Sequence, residues 1–186
     1  LWQYDAAKGK QSHRAGDGSG AALYNDDAGG MAVDDFFMQA ALEEAQRALE
    51  AGETPVGAVI VRNGEILARG RNAREQTGDP TAHAEMIALR EAARKLGGWR
   101  MNDCTLYVTL EPCPMCAGAM VMARLGRLVY GAADAKYGCA GSVYRITEDP
   151  AFDHYCQADG GVLADKCAAL LNRFFEGRRA QKEERP

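Results

Sequence analysis

No stretch of this 186-residue chain comes near the ~20 consecutive apolar residues that a bilayer-spanning helix requires. Its start shows no succession of basic, apolar and small residues of the kind that directs secretion. These two absences make a cytoplasmic protein the expectation. Basic charge is also in short supply: 22 Lys and Arg stand against 26 Asp and Glu, giving a net charge of −4 and a pI near 5.4. Broad, sequence-blind binding to nucleic acid relies on a basic footprint, so that class is disfavoured, although a local basic patch stays open. No internal repeat is visible, and the length is that of a single domain with one hydrophobic core.

Cysteine, by contrast, is present six times. A disulfide framework suits a small secreted domain, whereas a chain with a good core and no export signal uses Cys for metal binding or catalysis. Cys113 and Cys116 form the one Cys-x-x-Cys pair. Cys104, Cys139, Cys156 and Cys167 sit in apolar surroundings and are expected as small buried hydrophobes.

Residues 1–30 are rich in Gly, Ser and charge and lack any helical or strand period. Such a stretch buries too little apolar surface to offset its ordering entropy, so a disordered extension or artefact is expected there. Residues 31–180 then form the folded domain, and residues 181–186 a charged tail. Val33 to Glu50 reads as an amphipathic helix on Phe36, Phe37, Ala40, Ala41, Ala45, Ala48 and Leu49, closed by Gly52. Pro55–Arg62 and Glu65–Gly70 read as two strands across an Asn63-Gly64 turn. A loop from Asn72 to Gly78 follows. Asp79-Pro80 then reads as the cap and first position of a helix running to about Lys95. Thr105–Leu110 is β-rich, Cys113 to about Arg124 helical, and Leu128–Gly131 a strand. A glycine-rich loop, Asp134–Ser142, and an irregular segment precede a last apolar helix over Val162–Phe175. Helices alternating with short strands predict a three-layer α/β/α sandwich around a mixed sheet.

The chemistry-bearing motif is His83-Ala84-Glu85 together with Pro112-Cys113-Pro114-Met115-Cys116. It offers one imidazole and two thiols to a metal and leaves a carboxylate uncommitted. Three protein ligands on tetrahedral zinc leave the fourth corner for water, which marks a catalytic site. Cys113 and Cys116, three apart at a helix start, face one side, and helix N-termini favour their thiolate forms. Zinc brings the pKa of its water from 15.7 toward ~7, and Glu85 is the group placed to move the proton. A thioredoxin-like redox pair is disfavoured by the His-Ala-Glu and the lack of a second Cys pair. A structural zinc site would need a fourth ligand, for which Cys104 or His154 would have to serve.

With these motifs in place, the chain resembles the cytidine/deoxycytidylate deaminase superfamily and, within it, the bacterial tRNA-specific adenosine deaminases. Supporting stretches are Pro55–Val61, Gly70-Arg71-Asn72, Asp79–Glu85, Leu106–Met120, Gly131–Lys136 and Gly161–Leu171 with Phe174-Phe175. The resemblance implies a cytidine deaminase-like fold with a central mixed five-stranded sheet. It implies hydrolysis of adenosine to inosine at the wobble position of a tRNA anticodon, one zinc per subunit and a homodimer. By position it makes His83, Cys113 and Cys116 the zinc ligands and Glu85 the proton shuttle. Asn72 would hydrogen-bond the flipped base, Val56 would pack on it, Asp134 and Lys136 would lie near the substrate nucleotide, and Phe174 beside the anticodon loop. Two positions depart from the family pattern: Asp153-His154 stands where Asn-His is common, and Tyr137 is bulky for its loop. Two other readings stay open on sequence: a small-molecule deaminase acting on guanine or cytosine, and a non-catalytic zinc-stabilised RNA-binding module.

Overall fold

The computed structural model describes residues 27–183, in the order α1 (Asp27–Glu50), β1 (Gly57–Arg62), β2 (Glu65–Arg71), α2 (Arg74–Thr77), α3 (Ala84–Leu96), β3 (Cys104–Leu110), α4 (Pro114–Met122), β4 (Arg127–Ala132), β5 (Gln157–Gly160) and α5 (Ala164–Glu183). The expected extension over residues 1–30 lies outside the described residues up to 26, and residues 27–30 are helical. Residues 184–186 of the expected tail also lie outside.

The five strands form one sheet in the order β2-β1-β3-β4-β5. β1 is antiparallel to both β2 and β3, while β3, β4 and β5 run parallel. The sheet is therefore mixed, as expected. The β1–β2 hairpin turns at Asn63 and Gly64, both at positive φ (53° and 78°), the backbone that a tight two-residue hairpin demands.

Helices cover both faces. α1 and α5 pack on one side, α1 chiefly on β1 and α5 on β4, while α3 lies against β2 and β1 and also contacts α4. Two glycines permit this close packing. A Cβ on Gly57 would lie 2.1 Å from the Ala41 carbonyl of α1, and one on Gly70 would lie 2.1 Å from the Ala84 carbonyl of α3. Ala58 pairs with Gly70 and Gly57 with Arg71, so the two glycines point to opposite faces. The core includes Ile60, Leu106, Val108, Leu128 and Val129 from the sheet and Met38, Ala88 and Met120 from the helices.

Several local expectations are corrected. α1 starts at Asp27 rather than Val33. Phe36 faces solvent, and Met38 takes its place in the core. Asp79-Pro80 does not open a helix: the Asp79 carboxylate accepts hydrogen bonds from the Thr81 amide and hydroxyl, both at 2.7 Å, forming a local turn. His83 itself is the cap of α3. The 72–78 loop contains the one-turn α2, anchored where the Gln76 amide donates to the buried Glu53 carboxylate at 2.8 Å. The segment after Ser142 contains a 3-10 turn, Ile146–Glu148, and the short β5. Cys104, Cys139, Cys156 and Cys167 are all free and buried.

The topology decides where chemistry can occur. β2 and β3 are each antiparallel to β1, so they point the same way, and β4 and β5 follow β3. The ends of β2, β3 and β4 and the beginning of β1 thus meet at one edge of the sheet. α3 and α4 start from that edge, the usual location of ligands in α/β folds.

Candidate active site

His83 caps α3 and Cys113 caps α4, each in extended backbone geometry. The His83 carbonyl accepts from the Ile87 amide at 3.0 Å, and the Cys113 carbonyl from the Ala117 amide at 2.9 Å. Pro114 occupies the first helical position of α4, where its missing N–H costs nothing. Cys116 is then the third helical residue, the position whose side chain folds back toward the cap. The Cys-x-x-Cys spacing is in this way a helix-start geometry. The positive ends of two helices converge on the three side chains.

His83 Nδ1 lies 3.7 Å from Cys113 Sγ and 3.6 Å from Cys116 Sγ. All three ligand atoms fall within 4.8 Å of one another. Zinc bonds of about 2.3 Å to sulfur and about 2.0–2.1 Å to nitrogen, at a tetrahedral angle, put sulfur and nitrogen about 3.6 Å apart. The donor set fits zinc in both chemistry and spacing. No fourth His, Cys or carboxylate completes the group among the described residues, as a site with one corner for solvent requires.

The protonation pattern shows what a metal would replace. The thiol of Cys116 and the His83 ring both face Cys113, and they pull its thiol down to about 4. Cys116 is pushed the other way, above its ordinary value, because it donates to Cys113 and is buried beside Glu85. Cys116 is thus the donor and Cys113 the acceptor in the bond between the two sulfurs. His83 is raised, chiefly by its hydrogen bond with Cys113. Glu85, in the first turn of α3, is 4% exposed, and burial raises its carboxyl above the usual range. A carboxyl group with that bias is suited to accept and return a proton.

The remaining expected residues stand at different distances from this centre. The Asn72 amide donates to the Val56 carbonyl at 3.0 Å, and the Ala73 amide to the Ala82 carbonyl, also at 3.0 Å. Both Asn72 and Val56 are buried at 7% exposure. Asp134 lies just beyond β4, and its carboxylate accepts from the amides of Lys136 (2.8 Å) and Tyr137 (3.0 Å). The Lys136 ammonium sits 4.9 Å over the Tyr137 ring. Phe174 is not brought to the ligand cluster. It lies on α5, in the layer shared with α1, with its ring edge-on to Phe175 and the Arg178 guanidinium 5.5 Å above it. Asp153 pairs through both carboxylate oxygens with Arg124, at 2.6 and 2.5 Å, so it is engaged within the protein.

One residue had escaped sequence reasoning. Glu111, between β3 and the Pro112-Cys113 corner, is 2% exposed. Its carboxylate accepts from the amides of Asp134, Ala140 and Ser142 and from the Ser142 hydroxyl. Burial opposes ionisation, but the bonds from Ser142, Asp134 and Ala140 together hold its carboxyl below the usual range. The available signal was a charged residue directly ending an apolar strand.

Residues 31–132 match the family described as the cytidine and deoxycytidylate deaminase zinc-binding region. The chain belongs to this family. A tRNA-specific adenosine deaminase of Bacillus subtilis (strain 168) is 46% identical over 153 residues, which are 82% of this chain and 95% of that protein. A solved structure from studies of A-to-I editing by tRNA:A34 deaminases at the wobble position of transfer RNA superposes with a TM-score of 0.71 at 43% identity. That match covers 73% of this chain and 99% of the other. Guanine deaminase from Bacillus subtilis is 40% identical with a TM-score of 0.53, covering 57% of this chain and 71% of that one. Within the deaminases, the chain groups with the tRNA-specific adenosine enzymes, whose members it matches over nearly their whole length.

Proposed function

We propose that this protein hydrolyses adenosine to inosine, with release of ammonia, at the wobble position of a tRNA anticodon. The observation that carries the reading is the His83–Cys113–Cys116 group beside the buried Glu85, whose carboxylate lies outside the ligand set, in a chain 46% identical to a tRNA-specific adenosine deaminase. His83, Cys113 and Cys116 hold one zinc per subunit. Bound zinc supplies Lewis-acid activation of water, bringing its pKa near 7. Glu85 takes a proton from the attacking water and delivers it to the ring nitrogen beside the amino-bearing carbon. It then takes the second proton from the newly attached hydroxyl and passes it to the amino group, which leaves as ammonia as the carbonyl forms. Asn72 hydrogen-bonds the extruded base, and Val56 packs against it. Asp134 and Lys136 border the nucleotide, and Phe174 meets the anticodon loop from α5.

An acidic protein suits such a substrate, because an unpaired loop is recognised largely by base extrusion, stacking and hydrogen bonding. The working domain is 31–180, and the setting is cytoplasmic. No helix among the described residues is long and apolar enough to cross a membrane. The functional form is a homodimer. A groove of about 420 Å³ between α3 and α4 includes Met86, Leu89, Trp99 and Met122, with Met122 72% and Trp99 50% exposed. A second copy seated there would brace the two helices that carry the ligands.

The likeness to guanine deaminase supports one rival, a free-base enzyme. Incubating the zinc-loaded protein with an anticodon stem-loop bearing a wobble adenosine, then digesting to nucleosides, tests the proposal. Inosine that disappears on chelation is the expected result, and an unchanged loop would refute it.

A further inference from the structure

We propose that Glu111 is a positioning residue whose carboxylate clips the 134–142 loop to the start of α4, fixing that loop beside the zinc ligands. The inference rests on the deaminase reading for its effect on catalysis. The clip itself stands on geometry. All the hydrogen bonds that the Glu111 side chain makes among the described residues go to this loop. Oε2 accepts from the Asp134 amide (3.0 Å) and the Ser142 hydroxyl, and Oε1 from the amides of Ala140 (3.0 Å) and Ser142 (2.9 Å). No salt bridge reaches Glu111 among the described residues. A buried anion held only by backbone and hydroxyl donors ties its charge to the conformation of one segment.

The loop is built around that side chain. A Cβ on Gly138 would lie 2.3 Å from Glu111 Oε2 and 2.5 Å from the Asp134 carbonyl oxygen, and the backbone contact is what requires glycine where the loop wraps this closely. The Cys139 amide donates to the Pro112 carbonyl at 2.9 Å, a second stitch one residue from the ligand Cys113. Locally, the Gly138 amide donates to the Asp134 carbonyl and the Gly141 amide to the Tyr144 carbonyl, both at 2.9 Å. The amides of Asp134, Ala140 and Ser142 instead turn to Glu111 and without it lose that acceptor. Asp134, anchored by Glu111 through its amide, in turn orients the amides of Lys136 and Tyr137. One carboxylate two residues from a zinc ligand therefore sets where the residues bordering the nucleotide stand.

The test uses the zinc-loaded full chain carrying Glu111→Gln, which keeps the volume but turns an amide donor toward amide donors. Hydrogen exchange should quicken by about tenfold or more over 134–142, which is what losing one hydrogen bond to a charged group is worth. Exchange in β1 and β3 and the zinc content should stay at wild-type levels. On the stem-loop, KM should rise by a similar factor while kcat falls much less. Ser142→Ala, which removes only the hydroxyl donor, should give a smaller opening in the same place and serves if Glu111→Gln does not fold. Unchanged exchange in the loop would overturn the proposal. So would quickening across the whole domain, which marks a general stability residue, or a loosened loop with wild-type KM. A wild-type protein that makes no inosine would instead sink the deaminase reading, while the exchange data would still judge the clip.

Discussion

Replacing Glu85 by Gln should separate the chemistry from the fold. Glu85 is 4% exposed and is not one of the three ligand residues, so an isosteric amide leaves packing and zinc content intact. What disappears is the group that moves the proton. General acid–base catalysis contributes about 10²–10⁴ in rate, and each tenfold corresponds to about 1.36 kcal/mol of barrier. The predicted loss in kcat is therefore of that order, about 3–5 kcal/mol. Stability should move the opposite way in the zinc-free protein. Burial raises the Glu85 carboxyl above its ordinary 4.5, so folding disfavours the ionised form. That penalty is absent below the unfolded value, grows as pH rises through the folded value, and is complete above it. Zinc-free Glu85→Gln should thus melt at or above the wild-type temperature at neutral pH, with the difference vanishing below about pH 4. Single-turnover kinetics, metal analysis and thermal melts at the two pH values check this. Zinc lost along with activity would refute it, as would activity retained within about threefold of wild type, far less than such a group contributes.

Zinc binding should release protons at neutral pH, at least the one on Cys116, since ligands bind metal deprotonated. Calorimetry in buffers of different ionisation heat reads the release, and a buffer-independent heat would contradict a protonated Cys116. On the proposed dimer, Met122→Glu places a charge in the apolar groove between α3 and α4 and should halve the mass read by light scattering, and an unchanged mass would refute that seating. Gly70→Ala should destabilise by at least the 1–3 kcal/mol typical of overpacking, because its Cβ meets the Ala84 backbone at 2.1 Å. A melt within a degree of wild type would show that α3 shifts freely.

The hairpin was legible because Asn63-Gly64 encodes its own backbone geometry. The ligand set was legible because Cys113 and Cys116 must share one helix start to share a metal. β5 was not, since Gln157–Gly160 has no β-branched or aromatic residue and is a strand only by lying parallel to β4. The cap of α3 was misplaced because Asp79 has the right chemistry for a cap but uses it on Thr81 in a turn. Phe36 fitted the helical period, yet the sheet surface is filled by Phe37 and Met38. Glu111 was invisible because its partners are backbone amides more than twenty residues away, which no local pattern announces.

The central claim is most directly tested by comparing kcat/KM of one zinc-loaded preparation on a wobble-adenosine stem-loop and on free guanine under identical conditions. Inosine formed in the loop with guanine left intact is the predicted result. Ammonia from guanine beside an unreacted loop would contradict it and assign the same zinc chemistry to a free base.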